Sequence, residues 1–289
     1  MSGRYRISEV VAATTILMTC IGPNSLALAQ SSTCQALAEQ YPSLKGRALV
    51  VGISPAPANY SATDPNDPAN VIGIEPDLLK SAADCLGFTF SYSKLDFAGL
   101  IPAIQSGRIQ IIAAGMYASD ERAKQIDFVE YMKAGEASLV ATGNPKKLQG
   151  LGDLCGVTAA EVVGTVENAI LDKQSETCTA AGKAAISPLQ FPSNDRAYSA
   201  LAQGRADIFM TDAGVASFLA ATTPDKVQVG FAIPTDFVFG LGINKKEQAL
   251  RDGLLASFKA QSKEGNLKAS MKKWGFANGQ FHEPSAKSQ

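Results

Sequence analysis

Ala103-Ile104-Gln105-Ser106-Gly107-Arg108-Ile109-Gln110-Ile111-Ile112 and Ala200-Leu201-Ala202-Gln203-Gly204-Arg205-Ala206-Asp207-Ile208-Phe209 are two versions of one local pattern, 97 positions apart. Each reads as the end of a helix, a glycine where a left-handed residue stops that helix, and a short apolar strand. One such unit in each half of the chain predicts two α/β lobes of related build rather than one continuous sheet.

Outward from this pair, strands and helices alternate. Ala48–Ile53 reads as a buried strand, 55–70 as an irregular Pro- and Asn-rich loop, and Pro76–Leu86 as a helix with proline in its first turn. Phe88–Ser93 reads as a strand, Pro102 as the start of the next helix, and Asp120–Ile126 as another helix. Ser138–Ala141 is a strand that runs into Gly143-Asn144-Pro145, an exit from the first lobe. A strand at Gly240–Ile243 and amphipathic helices at Glu247–Lys263 and Leu267–Trp274 complete the pattern. Strands alternating with helices imply mostly parallel sheets. The expected organisation is a leader at 1–29, a first lobe beginning at 30–141, a second lobe at 142–229, and a return to the first lobe at 230–289.

The N-terminus sets the compartment. Arg4 and Arg6 precede the apolar run Val10–Ile21, Gly22-Pro23 breaks it, and Ala27-Leu28-Ala29 supplies small residues for cleavage. These are the parts of a cleaved secretory signal, and the apolar run is too short to anchor in a bilayer. Cleavage after Ala29 leaves Gln30 first. Cys20 follows Thr19 and is not expected to carry a lipid. Removing Arg4, Arg6 and Glu9 from 26 basic and 27 acidic residues leaves a net charge of about −2. That balance argues against a nucleic-acid partner, whose affinity needs clustered Lys and Arg. Cys34, Cys85, Cys155 and Cys178 then form an even set in an oxidising compartment. Of the three pairings, Cys34–Cys85 with Cys155–Cys178 is expected because each bond would staple one lobe; buried thiols are the alternative.

Several chemistries are excluded. His282 is the single histidine, so no histidine triad or His-rich zinc site is available. Walker, dinucleotide-binding and nucleophile-elbow motifs are absent from the sequence. Neither a metal nor a cofactor is expected. The informative segment is Gly115-Met116-Tyr117-Ala118-Ser119-Asp120-Glu121-Arg122. Ser119 is a good N-cap, which puts Arg122 in a first helical turn where the dipole disfavours a cation. An anionic ligand would relieve that conflict, with free N–H groups and a guanidinium converging on one carboxylate. A solvated arginine packed on its own helix is the plain alternative.

The run Phe97-Ala98-Gly99-Leu100-Ile101-Pro102, the segment above, Gly73-Ile74-Glu75-Pro76-Asp77-Leu78, Gly164-Thr165-Val166-Glu167, Gly204-Arg205-Ala206-Asp207 with Asp212, and Lys273-Trp274-Gly275 together resemble the family 3 bacterial extracellular solute-binding proteins, the polar amino-acid receptors of ABC importers. The resemblance implies a periplasmic binding protein-like fold: two α/β lobes joined by two crossover strands, closing on a ligand. It implies that Arg122 grips an α-carboxylate and Asp212 receives an α-ammonium. Thr165 and the Val166 N–H would support the carboxylate. Tyr60 and Phe97 would be walls, and Gly115 and Tyr117 would line the rim. Asp212 also reads as an N-cap for a helix over 213–220, and Tyr60, Phe97 and Tyr117 also read as plain packing residues. The implied protein is a periplasmic monomer that is not an enzyme. It would hand a small zwitterionic amino-acid-like ligand to an inner-membrane ABC permease.

Two departures and one rival accompany this reading. Tyr117 stands where the family usually has Ser or Thr, which removes one hydroxyl from the expected carboxylate contacts. Ser54 stands where receptors for lysine-like ligands carry an acid, so arginine, lysine and ornithine are not the expected ligands. The rival is a periplasmic enzyme on the same scaffold, resembling cyclohexadienyl dehydratases, with Glu161 as the candidate general acid.

Overall fold

The computed structural model describes residues 32–54 and 59–289. The leader, its cleavage site, Cys20 and the loop positions 55–58 lie outside the described residues. Helix α1 (Ser32–Gln40) leads to β1 (Ala48–Ile53), whose apolar run is what a strand covered on both faces requires. A small hairpin of β2 (Ala62–Thr63) and β3 (Val71–Ile72) precedes α2 (Ile74–Leu86) and β4 (Thr89–Lys94). Then come α3 (Leu100–Gln105), β5 (Ile111–Ile112), α4 (Asp120–Ala123) and β6 (Asp127–Lys133).

The second lobe is built from β7 (Glu136–Ala141), β8 (Thr158–Val162), α5 (Val166–Ala180), β9 (Ser187–Phe191), α6 (Asn194–Ala202), β10 (Ile208–Asp212), α7 (Ala213–Thr222) and β11 (Val227–Ile233). The chain returns through β12 (Val238–Ile243) and ends in α8 (Gln248–Lys263), α9 (Asn266–Lys273) and β13 (Phe281–Lys287). The first sheet has the order β13-β6-β12-β5-β1-β4 and the second β11-β7-β10-β8-β9.

Five strands of the first sheet, all but β13, have counterparts in the second. In the first, β5 runs parallel to β1 and antiparallel to β12; in the second, β10 runs parallel to β8 and antiparallel to β7. The repeated sequence pattern marks the matching corner of each. Gly107 and Gly204 both adopt left-handed φ, 79° and 69°. The N–H of Gly107 donates to Ile104 and that of Arg108 to Ala103, while Gly204 donates to Leu201 and Arg205 to Ala200.

The first sheet is covered on both faces. Ile111 packs in a cluster with Val51, Leu78, Leu254 and Phe258, whereas its neighbour Ile112 packs with Leu100, Ile104 and Phe128 on the other side. The chain crosses between sheets twice, from Lys133 to Glu136 and from Ile233 to Val238. The crossings touch: the Ala134 N–H donates to Phe237 O at 2.8 Å and the Thr235 hydroxyl to Ala134 O at 3.2 Å. The sequence reading set the exit at 141/142 and the return at 229/230, whereas sheet membership changes between 133 and 136 and between 233 and 238.

Local differences have local causes. Helix α3 starts two residues before Pro102, because a proline in the first turn forfeits no intrahelical bond. Helix α4 stops at Ala123, three residues short of the expected end, because Gln125 and Ile126 close onto the Arg122 carbonyl and β6 follows. Strand β13, where the sequence shows only a polar tail, pairs antiparallel with β6. Polar contacts hold it: Ser285 to Glu130, and Lys287 to Asp120 at 2.6 Å.

Both expected disulfides are formed, Cys34–Cys85 between α1 and α2 and Cys155–Cys178 onto α5. Replacing Cys155 and Cys178 together by serine frees a 23-residue separation in the unfolded chain. Stability should fall by roughly 3 kcal/mol. Urea unfolding of the double variant beside the wild type measures it, and equal midpoints would refute the staple.

Candidate functional site

The two sheets face each other across a cleft, and the cleft residues follow the carboxyl ends of parallel strands, where open α/β sheets bind ligands. Tyr60 follows β1, Phe97 follows β4, and Gly115, Tyr117 and Arg122 follow β5. From the second lobe, Thr165, Val166 and Glu167 follow β8, and Asp212 closes β10. All eight residues singled out in the sequence line one cavity of ≈ 30 Å³, together with Glu167, Asn194 and Thr211. Two hydrogen bonds span the lobes beside it, from Arg122 to Gly164 O and from Tyr60 to Asp212.

Arg122 is buried, at 9 % exposure, which rules out the solvated arginine. Ser119 caps α4 by accepting the Arg122 N–H at 3.3 Å. The guanidinium donates to Tyr117 O and, across the cleft, to Gly164 O, each at 3.1 Å, and lies 5.5 Å from the Phe97 ring centre. Burial pulls its pKa down, and the nearby Glu167 charge opposes that.

Asp212 caps α7, as the alternative reading expected: its Oδ1 accepts the N–H groups of Gly214 and Val215 at 2.8 and 2.9 Å. The same oxygen accepts the Tyr60 hydroxyl of the opposite lobe at 2.7 Å. All three bonds fall on Oδ1 and none on Oδ2. Burial pushes the Asp212 pKa up to about 7, against the pull of the Val215 N–H and the Tyr60 hydroxyl.

Tyr60 and Tyr117 both pack and line. Tyr60 lies 4.9 Å from Phe239 and 5.0 Å from Phe276 between ring centres. Tyr117 stacks on Phe237 at 5.1 Å. The Thr165 hydroxyl donates to Val162 O at 3.0 Å and does not cap α5, whose first residues, Val166 and Glu167, line the cavity.

Three carboxylates escaped the sequence reading. Glu75, at 0 % exposure, accepts from Ser61 Oγ at 3.0 Å, Tyr131 Oη at 3.0 Å and the Gly115 N–H at 3.1 Å, so it pins the loop that carries Tyr117. Burial pushes its pKa up to about 7, with the Gly115 N–H pulling the other way. Glu167 lies in the first turn of α5, and burial raises its pKa against the pull of the surrounding donors and Arg122. Glu136, the first residue of β7, is fully buried beside Tyr117, Glu167 and Asp212; burial, then repulsion by Glu167 and Asp212, drives its pKa up. Glu167 belongs to the quoted Gly164–Glu167 motif and was within reach of the sequence. Glu75 likewise belongs to the quoted Gly73–Leu78 run, whereas Glu136 lies in no quoted motif.

Glu161, the candidate acid, is corrected by the structure: it is not among the cavity residues and accepts Asn168 Nδ2 at 2.8 Å. Among the described residues no cluster of His, Cys, Asp and Glu is arranged to hold a metal ion.

The sequence pattern of the bacterial extracellular solute-binding proteins, family 3, matches residues 49–277. The chain belongs to that family. The arginine-binding protein ArgT of Corynebacterium glutamicum is 29% identical over 240 residues, 81% of this chain and 76% of that protein. The ABC transporter glutamine-binding protein GlnH of Bacillus subtilis is 27% identical over 231 residues, 78% of this chain and 80% of its own length. Among solved structures, an ancestral arginine-binding protein bound to arginine superimposes with a TM-score of 0.72 at 28% identity, covering 80% of this chain and 99% of that one. Family 3 binding proteins work outside the cytoplasm, and this member has their two-lobed fold.

The raised carboxyls give a signed pH dependence. An unfolded glutamate titrates near ~4.3 and folded Glu75 near about 7, so between these values the folded state holds the extra proton. Stability is therefore full below about pH 4 and is lost as pH rises through 7, at about 1.4 kcal/mol per unit for each such group. Glu75→Gln should flatten the fall between pH 5 and 8 in thermal unfolding. An unchanged slope would exclude this titration.

Proposed function

We propose that this protein captures a free amino acid in the periplasm and delivers it to an inner-membrane ABC permease. One observation carries the reading: among the described residues, Arg122 is the single cationic side chain lining the cavity, and Asp212 faces the same space from the opposite lobe with an oxygen outside its cap. A zwitterion needs that pair of opposite charges, and a guanidinium can meet a carboxylate with two parallel bonds.

In this reading Arg122 exchanges its carbonyl partners for the ligand α-carboxylate, helped by Thr165 and by the Val166 N–H at the positive end of α5. Asp212 Oδ2 receives the α-ammonium. Tyr60 and Phe97 form the walls along the ligand side chain, while Gly115 and Tyr117 border it. Because the Arg122–Gly164 and Tyr60–Asp212 bonds both span the lobes, a ligand that joins Arg122 to Asp212 favours the closed form. Residues 1–29 act as the cleaved leader, the mature chain works as a monomer, and it binds without turning its ligand over. The relatives named for arginine and glutamine binding support an amino-acid ligand.

A second reading rests on Glu167. A buried carboxyl held above its ordinary pKa, in the same cavity as a carboxylate-gripping arginine, has the properties of a general acid. Conversion of a prephenate-like acid by the wild type and not by Glu167→Gln would favour an enzyme.

Isothermal titration of refolded, ligand-stripped protein against the amino acids tests the receptor. Arg122→Ala should weaken binding by roughly 2–5 kcal/mol, since a buried carboxylate then loses its partner. Asp212→Asn should weaken binding while keeping the fold, because asparagine caps a helix nearly as well as aspartate. Wild-type affinity in Arg122→Ala would sink the assignment.

A further inference from the structure

We propose that Glu136 and Glu167 form a subsite for a second, cationic group on the ligand, so that the protein selects amino acids with positively charged side chains. This deepens the receptor reading and rests on it.

Glu136 carries the inference. Its side chain is fully buried and neither carboxylate oxygen meets a donor at full hydrogen-bonding geometry; the groups that approach it are the Tyr117 hydroxyl and the Glu167 carboxyl. Buried polar groups in folded proteins are almost always satisfied, so a carboxylate with neither oxygen fully engaged marks a place where a partner arrives later. Glu136 is not a cap and forms no salt bridge among the described residues. It stands at the first crossing between the lobes, against the wall formed by Tyr117, Glu167 and Asp212, all of which line the cavity. The Tyr117 hydroxyl is likewise buried without a partner.

Charge counting points the same way. A plain zwitterion occupies Arg122 and Asp212 and leaves two carboxyls buried together with no counter-charge. The titratable and charged groups around the pair are Tyr117 from the loop after β5, Arg122 from α4 and Asp212 from β10, and Arg122 is already taken by the α-carboxylate. One added positive charge offsets one carboxylate, and the other keeps the proton that burial favours. The rings of Tyr60, Phe97 and Tyr117 suit the methylene stem or the flat face of a guanidinium on its way there. The sequence reading sought the compensating acid near Ser54, which is buried in the other lobe; the structure supplies it at the crossing instead.

Burial favours the protonated form of both carboxyls, and the arriving cation takes the place of one of those protons. Binding of a cationic amino acid then releases a proton to the buffer near pH 7, and its affinity rises with pH. Citrulline, which matches arginine in shape with a neutral urea group, should do neither.

The test is calorimetric titration of the refolded, ligand-stripped protein with arginine, lysine and citrulline in two buffers of different ionisation enthalpy. The expected result is at least a tenfold preference for arginine or lysine over citrulline, with proton release for the cationic ligand only. Both Glu136→Gln and Glu167→Gln should lower that preference at least tenfold and abolish the release. Should Glu136→Gln fail to fold, Glu167→Gln and the wild-type proton count decide. Equal binding of citrulline and arginine by the wild type, or a preference that survives these substitutions, overturns the subsite while leaving a receptor for neutral amino acids. A wild type that binds no amino acid at all overturns the receptor reading and the subsite with it.

Discussion

The hydrogen bond from the Tyr60 hydroxyl to Asp212 ties one lobe to the other, and much of the interior is shaped around it. Asp212 holds its place by capping α7, so the acceptor is fixed by a helix rather than by a flexible loop. Tyr60 is fixed by crowding. A Cβ on Gly73 would lie 1.9 Å from the Tyr60 carbonyl oxygen, and one on Gly214 would lie 2.7 Å from its hydroxyl. Phe239 and Phe276 close on the ring from two sides. Small residues make the room, and aromatic ones fill what remains.

Around that bond the cleft gathers acids and very little base. Glu75, Glu136, Glu167 and Asp212 are all buried, with Arg122 the cation beside them. Each carboxyl is treated differently. Glu75 is surrounded by donors and braces a loop; Asp212 is half engaged by a helix; Glu167 looks into the cavity; Glu136 has the Tyr117 hydroxyl as the donor nearby. Desolvation raises all four, so what separates them is the supply of N–H and O–H groups, which the backbone path decides.

How much of this was legible depends on the kind of signal. The two helix–glycine–strand corners were visible because a left-handed turn leaves a glycine in the sequence, and Arg122 because Ser119 announces the helix that holds it. Glu161, on β8, was taken as the candidate acid because its strand gives no parity signal. A strand covered on both faces shows an unbroken apolar run, which conceals which side chains point to the cleft. Glu136 was hidden for a different reason: a lone acid at the head of an apolar strand reads as surface until the crossing is known. Strand β13 escaped because hydroxyls and charges, rather than alternating apolar residues, bind it to the sheet.

That last strand lies beyond the segment shared with the family, which ends at 277. By lying along β6 it shields the outer row of backbone donors and acceptors on the first sheet. A chain trimmed to the shared segment would keep every cleft residue and still present β6 as an open border, the template through which sheets of separate molecules join. With β13 in place the border passes to a strand that carries Pro284, which has no N–H to offer, and the charged Glu283 and Lys287, features that discourage a further strand from joining.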